Sequence, residues 1–428
     1  MVLPEQREVR PKEDPNGPAR LLVVALVSLG LLARVAPGLM MTPALAARLP
    51  SAAAYLDLAR SLADGEGFVL TEKADAATEG RSYRARRMPA YPLLVAAGKT
   101  VVGAPARATL IAQALGATVS VVLAAWMAHR LAGPWAAVVA AGLLAFDPYQ
   151  AVLASLFAPV TLTGLALTAV AAAGVAYVGA VRAGRRAWPW AAAGGLALAA
   201  AVYLEVWTLA LVPPALVAAA VSRRRRRLLV GWALGAAVLG AALVPWLVRN
   251  AEQVGAPVLS TNVGRRLWAG TGLRPGEAGL RPGEAGPGAE APPLPEGLDE
   301  VGEGVFYLES AAKRIASAPG RWLGLALGRV GRLWSPALPE GLEDGPLGPA
   351  AGYTSLLPTG LLAVAGVWLL RRRGEVWWLL LVPAAATLAH LVLAGWAGDQ
   401  AAVMPPLAAL GGAGLAALLG RPEGGNRS

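Results

Sequence analysis

Ten apolar stretches punctuate this 428-residue chain, at about 21–40, 107–129, 134–150, 157–181, 187–204, 206–221, 228–247, 352–370, 375–395 and 401–420. A helix crossing a bilayer needs roughly 20 apolar residues. Inside hydrocarbon the backbone must satisfy its own hydrogen bonds, so such stretches are helices. The chain therefore reads as an all-α polytopic membrane protein of about ten or eleven crossings. Composition agrees: 56% of residues are hydrophobic and only 15% charged, and mean hydropathy is +0.52. The eleventh candidate, 89–103, is read as a juxtamembrane segment, because counting it as a crossing would move the later basic clusters to the other face.

A net charge of +11 invites a nucleic-acid reading. Its distribution argues for orientation signals instead. Arg7, Arg10, Lys12 and Arg20 precede the first stretch. Arg130 follows the second, Arg182, Arg185 and Arg186 the fourth, and Arg223 to Arg227 the sixth. Arg371 to Arg373 follow the eighth, and Arg421 and Arg427 the tenth. If the stretches alternate, all these clusters share one face, cytoplasmic by the positive-inside rule. The expected organisation is a disordered cytoplasmic tail over 1–20, a transmembrane domain over 21–420 and a cytoplasmic tail over 421–428, in the cell (inner) membrane. No nucleic-acid partner is expected, and membrane lipids are the surroundings. There are no cysteines and only two histidines, His129 and His390, which excludes thiolate zinc sites and multi-histidine metal sites.

Two long polar loops then lie outside, 42–88 and 248–335. Within the second, Gly272–Ala278 repeats at once as Gly279–Ala285, so 272–300 reads as a flexible Pro/Gly-rich insertion. Val305, Leu308, Ala312 and Ile315, with Lys313, Arg314 and Arg321 beside them, predict an amphipathic helix on the bilayer surface over 305–335. No repeat on the scale of half the chain is visible, which weighs against an inverted-repeat transporter.

The outer loops hold the candidate chemistry. Arg84, Arg86 and Arg87 stand just before Met88-Pro89-Ala90-Tyr91-Pro92. Guanidinium forks suit phosphate oxygens. Ordinary head-group contacts explain the same arginines equally well. Arg249 and Asn250 sit at an outer interface, where arginine is unusual, and Ser260, Thr261 and Asn262 with Trp268 read either as a sugar site or as a plain polar loop. Three carboxylates, Asp147, Glu205 and Asp399, gather at outer turns, where general-base work or a divalent metal is an open alternative to ordinary helix-end acids.

These pieces resemble the GT-C membrane glycosyltransferases, in particular bacterial relatives of the dolichyl-phosphate-mannose–protein mannosyltransferases and of the aminoarabinose transferases. The resembling residues are Tyr55 to Phe68, Arg87-Met-Pro-Ala-Tyr-Pro92 with Gly103, Val244 to Asn250, Gly264, and Leu267-Trp268-Ala-Gly270. Ala318-Pro-Gly-Arg321 and His390 add weaker matches. The resemblance implies a bundle that passes a sugar from a polyprenyl-phosphate donor to a lipid, glycan or protein acceptor at the outer face, with inversion. It implies a loop acid that deprotonates the acceptor, and a cation, here Arg87, that holds the lipid phosphate. The chain departs from the pattern at three places. The first acid's position is Ser51, the second falls near Val160, and Asp399-Gln400-Ala401-Ala402 replaces a basic approach to the last span. An unaided serine hydroxyl is no general base. Substitute acids are Asp57, Asp147 and Glu205, with Asp64 and Glu66 behind them. The expected function is thus a lipid-phosphate-dependent hexosyltransferase, against a catalytically inactive relative that binds lipid-linked sugar or partners an active transferase. A transporter ranks third.

Overall fold

The computed structural model describes residues 16–40, 52–71, 80–222, 224–272, 294–336, 348–395 and 397–420. The chain starts with α1 (Gly17–Met40) and α2 (Ala52–Ala63). A two-residue hairpin, β1 (Leu70–Thr71) against β2 (Ser82–Tyr83), leads to α3 (Ala90–Ala97). The first bundle half is α4 (Pro105–Ala132), α5 (Pro134–Ala145), α6 (Pro148–Ala154), α7 (Val160–Arg182), α8 (Trp188–Leu204), α9 (Val212–Val221) and α10 (Arg225–Val254). Next come α11 (Val263–Gly272), α12 (Glu300–Ser317) and α13 (Pro319–Leu333), and the chain finishes with α14 (Gly348–Leu370), α15 (Gly374–Val392) and α16 (Met404–Leu418).

All ten apolar stretches are helical, and the protein is an integral membrane bundle. Among the described residues, six helices are long and apolar enough to cross by themselves: α1, α4, α7, α10, α14 and α15. The third predicted stretch is not one straight rod. It breaks between α5 and α6, which meet at 56°. Pro148 cannot donate to the ladder, and Asp147 caps the new helix by accepting from Gln150 N at 3.0 Å. The fourth stretch starts at Val160, after this bend, and the last at Met404, after a 3-10 turn over Ala397–Ala402. The N-terminal helix begins at Gly17, inside the expected tail. Residues 273–293 of the expected insertion, Ser51 and the C-terminal tail 421–428 lie outside the described residues.

The expected single helix over 305–335 is two helices, because Pro319 starts a new one. The second is no free surface helix. Arg329 is 2% exposed and donates to Gly270 O (2.5 Å), Leu391 O (2.9 Å) and His390 O (3.0 Å). One guanidinium thus satisfies the ends of α11 and α15 together, where carbonyls otherwise lack partners. The core runs along α16, which is buried from Met404 to Gly414. Its small residues set the spacing: a Cβ on Gly414 would meet Leu362 O at 2.4 Å, so α14 and α16 pack backbone to backbone.

Candidate functional site

The β1–β2 hairpin returns the chain beside itself, and the C-terminal end of α10 receives it. Phe68 packs edge-on against Trp246, with ring centroids 5.3 Å apart. Arg249 lies over Trp246 (4.9 Å) and Phe68 (5.4 Å) and donates to Arg84 O at 2.5 Å and Asn250 Oδ1 at 2.7 Å. Asn250 is fully buried and gives its Nδ2 to Val258 O at 2.6 Å. These two residues fasten one polar loop to the other. Arg84 is exposed and bonds Gln253 Oε1 at 2.9 Å. Trp268 stacks under Arg314 at 4.9 Å.

Arg86, Arg87 and Tyr55 do converge. They line a cleft with Glu205, Asn262 and Arg266. Arg86 sits over the Tyr83 ring at 4.2 Å and Arg87 over the Tyr55 ring at 5.4 Å. Two further bonds fix the loop carrying these arginines: Ser260 Oγ donates to Arg86 O at 3.0 Å and Thr261 N to Ala85 O at 3.1 Å. The Arg87 Nε and the Asn262 Oδ1 are buried and, among the described residues, make no hydrogen bond. The cavity is about 20 Å³, close to what one water needs. A larger ligand enters only as these side chains part.

Glu205 ends α8 as its C-cap in extended backbone, which turns its side chain off the helix ladder. It meets Arg266 Nη1 at 3.2 Å, and its side chain is 19% exposed. Burial pushes its carboxyl above the ordinary range, while Arg266 and Arg87 oppose the shift. Asp399 acts electrostatically on both Glu205 and Arg266. Asp399 Oδ2 in turn stands 3.4 Å from His390 Nε2, while His390 Nδ1 donates to Ala386 O at 2.9 Å.

The other two candidate acids lie apart from the cleft. Asp57 is bound to Arg60, one turn on, at 3.1 Å. Asp147 is 2% exposed and caps α6, and it accepts from Ser355 Oγ at 2.7 Å. Asp64 pairs with Lys99 at 2.8 Å. Among the described residues, no group of three or more His, Asp or Glu side chains is placed to hold a metal ion. Arg266 is the cleft residue that sequence reasoning missed. It stands beside Arg265 in a polar helix, and no local pattern separates the two.

The all-helical membrane bundle, with polar loops packed over helix ends around this cleft, has the fold seen in GT-C membrane glycosyltransferases. No protein family and no curated protein matches the sequence. Solved structures do match. One is the archaeal oligosaccharyltransferase AglB from Archaeoglobus fulgidus, in complex with an inhibitory peptide and a dolichol-phosphate. Its TM-score is 0.54 at 12% identity, over 92% of this chain and 50% of that one. The Archaeoglobus fulgidus oligosaccharyltransferase tethered with an acceptor peptide gives 0.55 at 13% identity, over 92% and 49%. A looser likeness, TM-score 0.42 at 17% identity over 94% and 79%, is to ArnT from Cupriavidus metallidurans bound to undecaprenyl phosphate. The chain spans about half the length of the oligosaccharyltransferases it matches.

Proposed function

We propose that this protein is a membrane glycosyltransferase that takes a sugar from a polyprenyl-phosphate donor at the extracytoplasmic face. The observation that carries the reading is the convergence of Arg86, Arg87 and Arg266 with Tyr55, Asn262 and Glu205 in one cleft. Three guanidiniums supply charge and planar donors for a phosphate. The unbonded Arg87 Nε and Asn262 Oδ1 leave one donor and one acceptor for a ligand. The dolichol-phosphate bound to AglB, whose fold this chain shares, supports the same ligand class.

In this reading Glu205 is the base. Its carboxylate takes the proton from an acceptor hydroxyl as that oxygen bonds to the anomeric carbon. The bond from that carbon to the phosphate oxygen breaks on the opposite face, so the configuration inverts. The departing lipid phosphate keeps the electron pair, and Arg86 and Arg87 hold its charge. A raised carboxyl pKa suits a proton acceptor. The acceptor's class (lipid, glycan or protein) stays open, as does the sugar. The outer loops then face the periplasm or cell exterior. The arginines at 223–227 and both termini are cytoplasmic, in the inner membrane of a bacterial cell.

A second reading has one observation of its own: Glu205 already serves as the counter-ion of Arg266. A carboxylate so engaged fits a protein that binds lipid-linked sugar, or partners an active transferase, without turnover. Purified protein in detergent, incubated with a polyprenyl-phosphate hexose, separates the two. The enzyme reading expects hydrolysis or transfer, with donor affinity weakened about ten- to a hundredfold in Arg87→Ala, the cost of one charge-assisted contact. Binding without turnover favours the second reading. Equal donor affinity in wild type and Arg87→Ala removes the cleft from both.

A further inference from the structure

Two of the cleft's arginines, Arg86 and Arg87, are carried on irregular backbone, and one distant acid holds that backbone. Glu300 is the first helical residue of α12, just past the Asp299 N-cap. Its Oε2 accepts from Arg84 N at 2.5 Å. Its Oε1 accepts from Ala85 N at 2.8 Å and from Thr261 Oγ1 at 2.7 Å. Two consecutive backbone N–H groups thus point at a single carboxylate, immediately before Arg86 and Arg87. The same loop closes from the other side through Thr261 N to Ala85 O. One turn further along α12, Glu303 accepts from Tyr83 OH at 2.7 Å and stands 3.7 Å from both Arg81 and Arg265. Arg86 lies over that same Tyr83 ring.

We propose that Glu300 is a positioning residue for the phosphate-binding arginines, its carboxylate fixing the backbone from which Arg86 and Arg87 reach the cleft. The inference rests on the cleft being the donor-phosphate site. Glu300 does not line the cleft itself; it acts through the peptide groups at 84 and 85. Charge-assisted bonds from peptide N–H groups are among the stronger ones a carboxylate makes. A binding constellation loses much of its effect when it slips by about 1 Å. Glutamine at this position keeps one accepting oxygen and loses the charge, so the loop stays tethered but loosely. Aspartate keeps the charge and reaches one carbon less far.

The test is a double-mutant cycle on affinity for a short-chain polyprenyl phosphate, using folded full-length protein in detergent. Its four members are wild type, Arg87→Ala, Glu300→Gln and the double variant. A positioning role predicts that Glu300→Gln weakens binding about tenfold in the wild-type background. In the Arg87→Ala background the same change should cost no more than about threefold, because only Arg86 of the two arginines it positions remains. A factor that stays tenfold in both backgrounds overturns the proposal, since a purely structural contribution is additive. So does unchanged affinity in Glu300→Gln. If Arg87→Ala alone binds like wild type, the donor-site reading fails, and the positioning role fails with it. Should Glu300→Gln not fold, Glu300→Asp carries the same cycle.

Discussion

Glu205 and Asp147 are both acids at helix breaks, yet the two environments give them different work. Asp147 is enclosed by its own chain: it caps α6 and accepts from Ser355. Nearby Arg34, 2% exposed on α1, gives its guanidinium to the carbonyls of Gly30, Leu144 and Ala145 rather than to a ligand. Those last two carbonyls belong to the final turn of α5, where the helix ladder runs out at the bend. The group around Asp147 is therefore a joint. Glu205 caps no helix N-terminus through its side chain and has one arginine partner, in a cleft that also holds a tyrosine and two further arginines. A carboxylate whose lone pairs are already taken by backbone and hydroxyl donors has little left to offer a substrate. One held by a single side chain can exchange that partner.

Substitution at each acid should break or sharpen this contrast. The largest effect is expected at Glu205. Glu205→Gln keeps size and one accepting oxygen, and should lower turnover by about 10²- to 10⁴-fold, the usual cost of removing a general base. Asp147→Asn, measured in the same transfer assay, should leave turnover within about threefold, since asparagine caps as well as aspartate does. The reverse ranking would make the buried joint the chemical centre. Next in size is Arg34→Met, which removes the charged donor from the carbonyls at the bend. Hydrogen bonds from charged groups contribute about 1.5–3 kcal/mol, so thermal denaturation in detergent should show a clear loss of stability with donor affinity unchanged. Weakened donor affinity at full stability would place Arg34 in the binding machinery. The smallest effect belongs to Asp57, whose exposed pairing with Arg60 has the character of surface ion pairs contributing about 0–1 kcal/mol. Asp57→Asn should alter neither stability nor turnover measurably, and a turnover loss above tenfold would move the base from Glu205 to the first loop.

Arg249 and Asn250 show how far composition and position could go. An arginine at an expected outer interface is unusual, and the sequence marks it as such. The structure uses it as a clasp between Trp246, Phe68 and the Arg84 carbonyl. Trp268, a candidate for a sugar platform, has Arg314 over its ring. Both residue types serve ligands and loops equally well, and only their neighbours in space distinguish the two uses.

The bundle, its helical stretches, the basic clusters and the polar segment with Tyr55, Arg86 and Arg87 were legible in the chain alone. Partition into lipid depends on about 20 consecutive residues and needs no knowledge of what packs where. The bend at Asp147-Pro148, the split at Pro319 and the meeting of Arg266 with Glu205 across 61 residues were not. The two prolines mark places where a helix can break, but whether a stretch bends there depends on which side chains reach the freed carbonyls. An ion pair between the end of one helix and the side of another exists only once the helices are packed, and that packing is decided by small residues such as Gly366 and Gly414 meeting in the core. Local chemistry therefore determined that the chain is a membrane bundle with cationic polar loops, and tertiary packing decided which acid those cations surround.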